Sequence, residues 1–290
     1  MKFYSHKIKI LLFAFLFLCF SLSFLFKNGF NKGIDFAGGA VVEIICENCD
    51  IKGIAKKIEN KLERSVFYQQ TDAGYLLKAV ATENYQDTIN IFKNALETTN
   101  AKIINSDFTS QKMTKTFIAD AIFACIFAFI CISLYMIIRF NLKFAIAGMI
   151  TLIYDVLVSI AFISFAKIEV CLTTLTAILT IVGYCINDKI VIFDRIRTNL
   201  SDEKPVETII SYSVKEVIMR SILTSLTTII VATSLLFFGD RLIKELGMTI
   251  ICGISVGTLS SLIISPSILL VLKLQRRKKK EEKSLMFYAS

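Results

Sequence analysis

Five polar side chains fall where a bilayer-spanning helix would ordinarily carry none. The stretch IVGYCINDKIVIFDRIR, Ile181 to Arg197, continues the apolar run CLTTLTAILT and sets Asn187, Asp188 and Lys189 side by side. Asp155 lies near the middle of KFAIAGMITLIYDVLVSIAFISFA, and Arg220 opens RSILTSLTTIIVATS. An ionisable group at the centre of a span costs about 2.5–3.5 kcal/mol on insertion scales, so such groups face other helices or a water path. A carboxylate held between apolar burial, which favours the neutral acid, and an arginine, which favours the anion, can take up and release protons. Arg220 is the expected counter-charge for Asp188. The competing reading is a static ion pair that fixes helix register. Acid, amide and hydroxyl oxygens together could equally serve sodium.

Helical periodicity sharpens this picture. Thr173, Thr176, Thr180, Gly183, Tyr184, Asn187 and Asp194 recur every three or four residues and form one polar stripe. Asp188 sits at its edge. The stripe is expected against other helices or along a water path. Lys189 points away with Ile178, Val182, Cys185 and Ile192. It is expected to snorkel to the cytoplasmic surface as an anchor or to meet a partner. In the last span, Gly253 and Gly257 make a G-x-x-x-G suited to close helix packing, and Pro266 follows as a candidate kink.

The elements that must position these groups are read from hydropathy. The chain has 290 residues, 54% of them hydrophobic, with only two prolines. That composition excludes an ordinary soluble domain. Six apolar stretches each approach the roughly 20 residues a spanning helix needs. They are 8–26, 115–138, 144–166, 170–194, 217–238 and 246–272. The first resembles a signal peptide but is too long and lacks a small-residue cleavage site, so it reads as an uncleaved anchor. The net charge of +9 is gathered beside the apolar runs, at Arg139, Lys143, Arg195, Arg197, Lys204, Lys215 and the tail from Lys273. Positive-inside reasoning therefore puts both termini in the cytoplasm and explains the charge without nucleic acid. The basic tail RRKKKEEK reads as a topology lock, with anionic lipid a lesser alternative. The expected divisions are 1–27, a cytoplasmic end with span one; 28–113, an external domain; 114–272, the remaining five spans; and 273–290, the tail.

The external segment reads βαββαβ, a small α+β ferredoxin-like order. AVVEIIC is a strand and Asp50 caps a helix over IKGIAKKIENKLE. VFYQQ and GYLLKAV pair around Thr71–Gly74, NYQDTINIFKNALETT is amphipathic, and AKIINSDF closes as a strand. In GIDFAGGA, Gly33, Asp35, Gly38 and Gly39 read as a structural turn from membrane to first strand. No helix follows the glycines, so a phosphate loop is a poor reading. Cys46 and Cys49 form C-E-N-C, which is open to a local disulfide, a redox pair or two unremarkable cysteines. One such pair is too little for structural zinc. The only histidine, His6, lies beside the first span as an interfacial residue and no nucleophile–His pair is evident, so no enzyme chemistry is expected.

Three of these stretches carry a family resemblance. With GIDFAGG after the first span, VGYCINDKIVIFDRIRTNL in the fourth and MRSILTSLTT opening the fifth, the chain resembles the SecF family of protein-export membrane subunits, relatives of the RND transporters. The resemblance covers nearly the whole chain. It implies a polytopic six-helix, RND-like half in the bacterial inner membrane. It also implies a partnership with the paralogous SecD beside the SecYEG channel, drawing preproteins out with the proton gradient after the SecA motor has pushed them. Proton coupling then falls to Asp188 and Arg220, with Asn187 beside them and Asp155 matching the family acid of span three. Asp194, Arg195 and Arg197 match a motif at the cytoplasmic surface, expected as a loop. The family typically has His before the span-three acid, where this chain has Tyr154, and Ser where this chain has Cys185. The C-E-N-C pair is not part of the family pattern. No cofactor beyond the gradient is implied. The rival readings are a half-size RND exporter of lipid or small molecule and a scaffold that holds SecD without coupling.

Overall fold

The computed structural model describes residues 6–45, 51–62, 66–71, 74–79, 85–96, 101–109, 111–200 and 205–272. Cys46, Cys49, Asp50, Lys204 and the basic tail lie outside them. In chain order the elements are α1 (Lys7–Asn28), β1 (Asn31–Lys32), α2 (Ile34–Ala37), β2 (Gly39–Ile45), α3 (Ile51–Leu62), β3 (Val66–Thr71), β4 (Gly74–Ala79), α4 (Tyr85–Leu96) and β5 (Lys102–Thr109). Then come α5 (Gln111–Arg139), α6 (Leu142–Phe165), β6 (Glu169–Val170), α7 (Leu172–Asn199), α8 (Val206–Phe238), α9 (Arg241–Leu259), a π-helical turn (Ser260–Ile264) and α10 (Ser265–Val271). Six segments are long and apolar enough to cross a membrane: Lys7–Lys27, Thr114–Arg139, Leu142–Phe165, Leu172–Asn199, Val206–Phe238 and Leu242–Val271.

Two helices outrun the apolar stretches that announce them. α7 continues to Asn199 and α8 begins at Val206, against expected limits of 194 and 217. Hydropathy marks where a helix stops being apolar, and charged residues such as Asp194, Arg195 and Lys215 are compatible with continued helix. Asp194, Arg195 and Arg197 therefore sit on the last turns of α7 rather than in a loop.

The chain divides into two compact units. One comprises Phe30–Ile126 with Ile168–Leu175. Its sheet has the order β3-β4-β2-β5, each neighbour antiparallel, with Val42 opposite Leu77 and a register shift in the β2–β5 pair between Glu43 and Ile44. Alternation along β2 buries Ala40, Val42 and Ile44, which join Leu77 and Ala79 of β4. Against them lie Ile51, Ile54, Ala55 and Ile58 of α3 and Phe92, Ala95 and Leu96 of α4.

The same unit holds the GIDFAGG stretch, which does more than turn. β1 pairs in parallel with β6, Asn31 opposite Glu169. The Gly33 amide donates to the Val170 carbonyl at 2.9 Å, and a Cβ at Gly33 would stand 3.1 Å from both that oxygen and Cys171 Cβ. Asp35 Oδ2 accepts the Leu172 amide at 3.0 Å, so it caps the first turn of α7 from outside that helix. Gly38 has φ +76°, a left-handed conformation that favours glycine, and Gly39 begins β2.

The other unit comprises Met1–Gly29, Phe127–Lys167 and Thr176–Ser290. α6, α7 and the α9–α10 span are its most buried helices, while α1, α5 and α8 present wide apolar faces outward. One core cluster gathers Met136, Phe140, Phe144, Phe193 and Leu269. The Phe144 and Phe193 rings meet edge to face at 5.3 Å. The G-x-x-x-G faces α7: a Cβ at Gly253 would run into Ile181, and one at Gly257 into the Cys185 sulfur. The π turn immediately precedes Pro266, which offers no N–H to the helical ladder, and the Ser265 amide reaches back to the Ser260 carbonyl.

Candidate ion-coupling site in the membrane helices

The polar stripe of α7 is not buried against its neighbours. Gly183, Tyr184 and Asn187 are exposed, and the buried face is Ile181, Val182, Cys185, Lys189 and Ile192. The glycines of α9 permit this rotation, because a side chain at Gly253 or Gly257 would collide with Ile181 or Cys185. The stripe instead borders a polar cleft of about 230 Å3 between α7, α8 and α9. Asn187 and Asp188 line it with Thr224, Ser225, Thr228 and Thr258. Asp188 is 8% exposed.

The cleft's hydroxyls form a chain. Ser225 Oγ and Thr258 Oγ1 are 2.6 Å apart, and either can be the donor. Ser225 also reaches the Ser221 carbonyl at 2.9 Å and Thr258 the Ile254 carbonyl at 2.8 Å. Thr258 and Asp188 line the same cleft. Each hydroxyl has one proton and several acceptors, so Thr258 can turn its proton to Ser225 or back to the Ile254 carbonyl. An acid bordered by reorientable hydroxyls in an open polar cleft is equipped to exchange a proton.

Lys189 does not snorkel. Its Nζ donates to Asp155 Oδ2 at 2.6 Å and to Ser261 Oγ at 3.1 Å, and the Cys185 carbonyl lies at 3.4 Å. Both side chains of the pair are fully buried. The two intramembrane charges left open by the sequence thus satisfy one another across α6 and α7. Asp155 Oδ1 is buried without a hydrogen bond. The signal for this pair was present in the sequence: Lys189 shares a helix face with Cys185, not with Asp188. What the sequence lacked was the partner.

Arg220 is exposed, lies outside the lining of the Asp188 cleft, and forms no ion pair with Asp188 among the described residues. The expected counter-charge is therefore not in place within this chain. Thr224, one turn along α8, does line the cleft and returns its hydroxyl to the Arg220 carbonyl at 3.1 Å. At the far end of α7, Arg195 grips Glu216 of α8 with two bonds of 2.6 Å. Asp194 pairs with Arg139 at 3.2 Å, and Arg197 donates to the Arg139 carbonyl at the end of α5. These motif residues tie the end of α7 to the end of α5 and to the side of α8. Among the described residues, no cluster of His, Cys, Asp and Glu is arranged to hold a metal ion.

Residues 89–275 match the family model for the C-terminal part of the protein export membrane proteins SecD and SecF, and residues 23–44 match that of the SecD/SecF GG motif. The protein translocase subunit SecF of Sebaldella termitidis is 34% identical over 278 residues, covering 92% of this chain and 90% of that one. The chain belongs to the SecF family. SecF of Rickettsia rickettsii is 33% identical over 250 residues, covering 83% of this chain and 81% of its own. Among solved structures, SecDF of Thermus thermophilus, described as a translocon-associated membrane protein, superposes with a TM-score of 0.80 at 25% identity. That match covers 94% of this chain and 38% of SecDF, so the chain spans well under half of that protein. SecDF in a super-membrane-facing form gives a TM-score of 0.69. This SecF-family chain is a multi-pass membrane protein, and the GG-motif match coincides with the stretch that brings Asp35 to the head of α7.

Proposed function

We propose that the chain works with SecD as the accessory subunit of a bacterial Sec translocase, using the proton motive force to assist late export of preproteins through SecYEG after SecA. The observation that carries this reading is Asp188 in the open polar cleft, beside reorientable hydroxyls. Asp188 is the exchanging carboxylate, with Asn187 and Arg220 alongside and Asp155 as the second membrane acid of the coupling machinery. Arg220 and the exposed stripe of α7 face a partner in this reading, and SecD supplies the missing wall. The chain performs no covalent chemistry and needs no cofactor beyond the gradient.

Both termini lie in the cytoplasm and the chain resides in the inner membrane, a reading supported by the Lys and Arg distribution. Residues 28–113 form a ferredoxin-like extracytoplasmic domain between the first and second spans. The βαββαβ order and the β3-β4-β2-β5 sheet support this. The divisions 1–27, 114–272 and 273–290 then have their expected roles.

The test is pulse-labelled processing of a secreted precursor in cells whose only copy carries Asp188→Asn, with subunit level and SecD association verified. Accumulated precursor in an intact complex supports coupling. Normal processing leaves a scaffold that tolerates the neutral isostere.

A further inference from the structure

The Lys189–Asp155 pair has a geometry that separates the two membrane acids by role. The ammonium has three protons and finds three acceptors: Asp155 Oδ2 on α6, Ser261 Oγ on the π turn and the Cys185 carbonyl on its own helix. Ser261 spends its own proton on the Gly257 carbonyl at 2.7 Å, so it is free to accept from Lys189. The π turn before Pro266 sets Ser261 there, and the absent side chain at Gly257 leaves room for Cys185 beside it. Asp155 is fully buried and does not line the cleft, whereas Asp188 does.

Consecutive residues of a helix point about 100° apart. Pinning Lys189 to the inner face therefore holds Asp188 at the border of the cleft and turns Asn187 outward, as observed. We infer that Lys189 is a positioning residue: clamped between Asp155 and Ser261, it fixes the rotation of α7 that presents Asp188 to the cleft, and it keeps Asp155 a permanent counter-ion rather than a proton carrier. This rests on the reading of Asp188 as the exchanging acid.

The charged and titratable groups around Asp188 are Lys189, Tyr184 and Cys185 on its own helix and Asp155 on α6. From α8 the charged group is Arg220, one turn from the cleft-lining Thr224, and the α9 residues lining the cleft, Ile254 and Thr258, carry no charge. Within this set, Lys189 and Asp155 offset one another. Neutralising either alone leaves an uncompensated buried charge beside Asp188, whereas neutralising both does not.

The experiment uses the assembled complex in native membranes. Dicyclohexylcarbodiimide, which modifies protonated carboxyl groups in apolar surroundings, is applied across a pH series, and peptides are read by mass spectrometry. In the unaltered chain, Asp188 is labelled and Asp155 is not; labelling of Asp155 overturns the inference without any variant having to fold. Lys189→Met and Asp155→Asn should each lose gradient-driven export. They should also move the pH midpoint of Asp188 labelling in opposite senses, because one leaves a lone anion and the other a lone cation. The double variant leaves no lone charge and should restore the midpoint, but not export, because the clamp that holds α7 is gone. An assembled double variant that exports like the unaltered chain shows that the clamp positions nothing and sinks the proposal, as do single variants that behave like the unaltered chain. If instead Asp188→Asn exports normally, the coupling reading fails, while the labelling pattern still judges Lys189.

Discussion

Asp35 Oδ2 accepts the backbone N–H of Leu172 at 3.0 Å, across 137 residues of sequence. The helix it caps is the one that carries Asn187 and Asp188. The first turn of any helix has amides without internal partners, and here one is answered by a side chain from the GG-motif stretch.

Asp35→Ala should therefore loosen the start of α7 by about 1 kcal/mol, the usual cost of losing a cap. Hydrogen exchange at the amides of Leu172, Thr173 and Thr174 is the direct measurement. Faster exchange there, with Ile181 onward unchanged, is the expected result. Unchanged protection at Leu172 would show that the contact contributes nothing.

Gly257 has no space for a side chain beside Cys185. Gly257→Ala should lower thermal stability in detergent by about 1–3 kcal/mol through overpacking. Adding Cys185→Ala removes the sulfur that collides and should recover most of the loss. A double variant as unstable as the single one would mean that the backbone contact, not the sulfur, sets the limit.

The rings of Phe140 in the α5–α6 turn, Phe144 of α6 and Phe193 of α7 pack against one another. Phe193 is fully buried, so Phe193→Ala should cost about 3–5 kcal/mol, while Phe193→Leu should cost markedly less. Unfolding followed by tryptic protection of the detergent-solubilised chain distinguishes the two.

The hydroxyl chain makes a prediction separate from the acid. Thr258→Val is nearly isosteric but removes the hydroxyl bonded to Ser225 in the cleft that Asp188 lines. Processing of a secreted precursor should slow while subunit level and SecD association stay normal. Thr258→Ser, which keeps the hydroxyl, should process normally. Equal behaviour of the two variants would remove the hydroxyl from the mechanism.

Breaking the buried pair should show as stability as well as function. Asp155→Asn or Lys189→Met leaves one buried charge without its partner and should cost about 3–5 kcal/mol, whereas the double variant should lie much closer to the unaltered chain. Additive losses in the double variant would indicate that the two residues act independently.

Much of this molecule was legible one residue at a time. Hydropathy located six spans because burial in hydrocarbon is a local demand on composition, and the β-branched run AVVEIIC announced a strand. Helical periodicity even separated the face of Lys189 from that of Asn187. It could not say which face turns inward. The polar stripe of α7 was expected against other helices or a water path. It borders an open polar cleft between α7, α8 and α9, while Gly253 and Gly257 of α9 receive Ile181 and Cys185 from the buried face of α7.

The sequence by itself determined which groups carry charge into the membrane: Asp155, Asp188, Lys189 and Arg220. Only the tertiary structure decided their pairing. It joined Lys189 to Asp155, left Arg220 exposed and away from Asp188, and brought Asp35 to the head of α7. The reason is geometric. Composition and period are properties of a single segment, whereas an ion pair or a cap between segments depends on helix rotation, separation and relative height, which the packing of many side chains sets jointly.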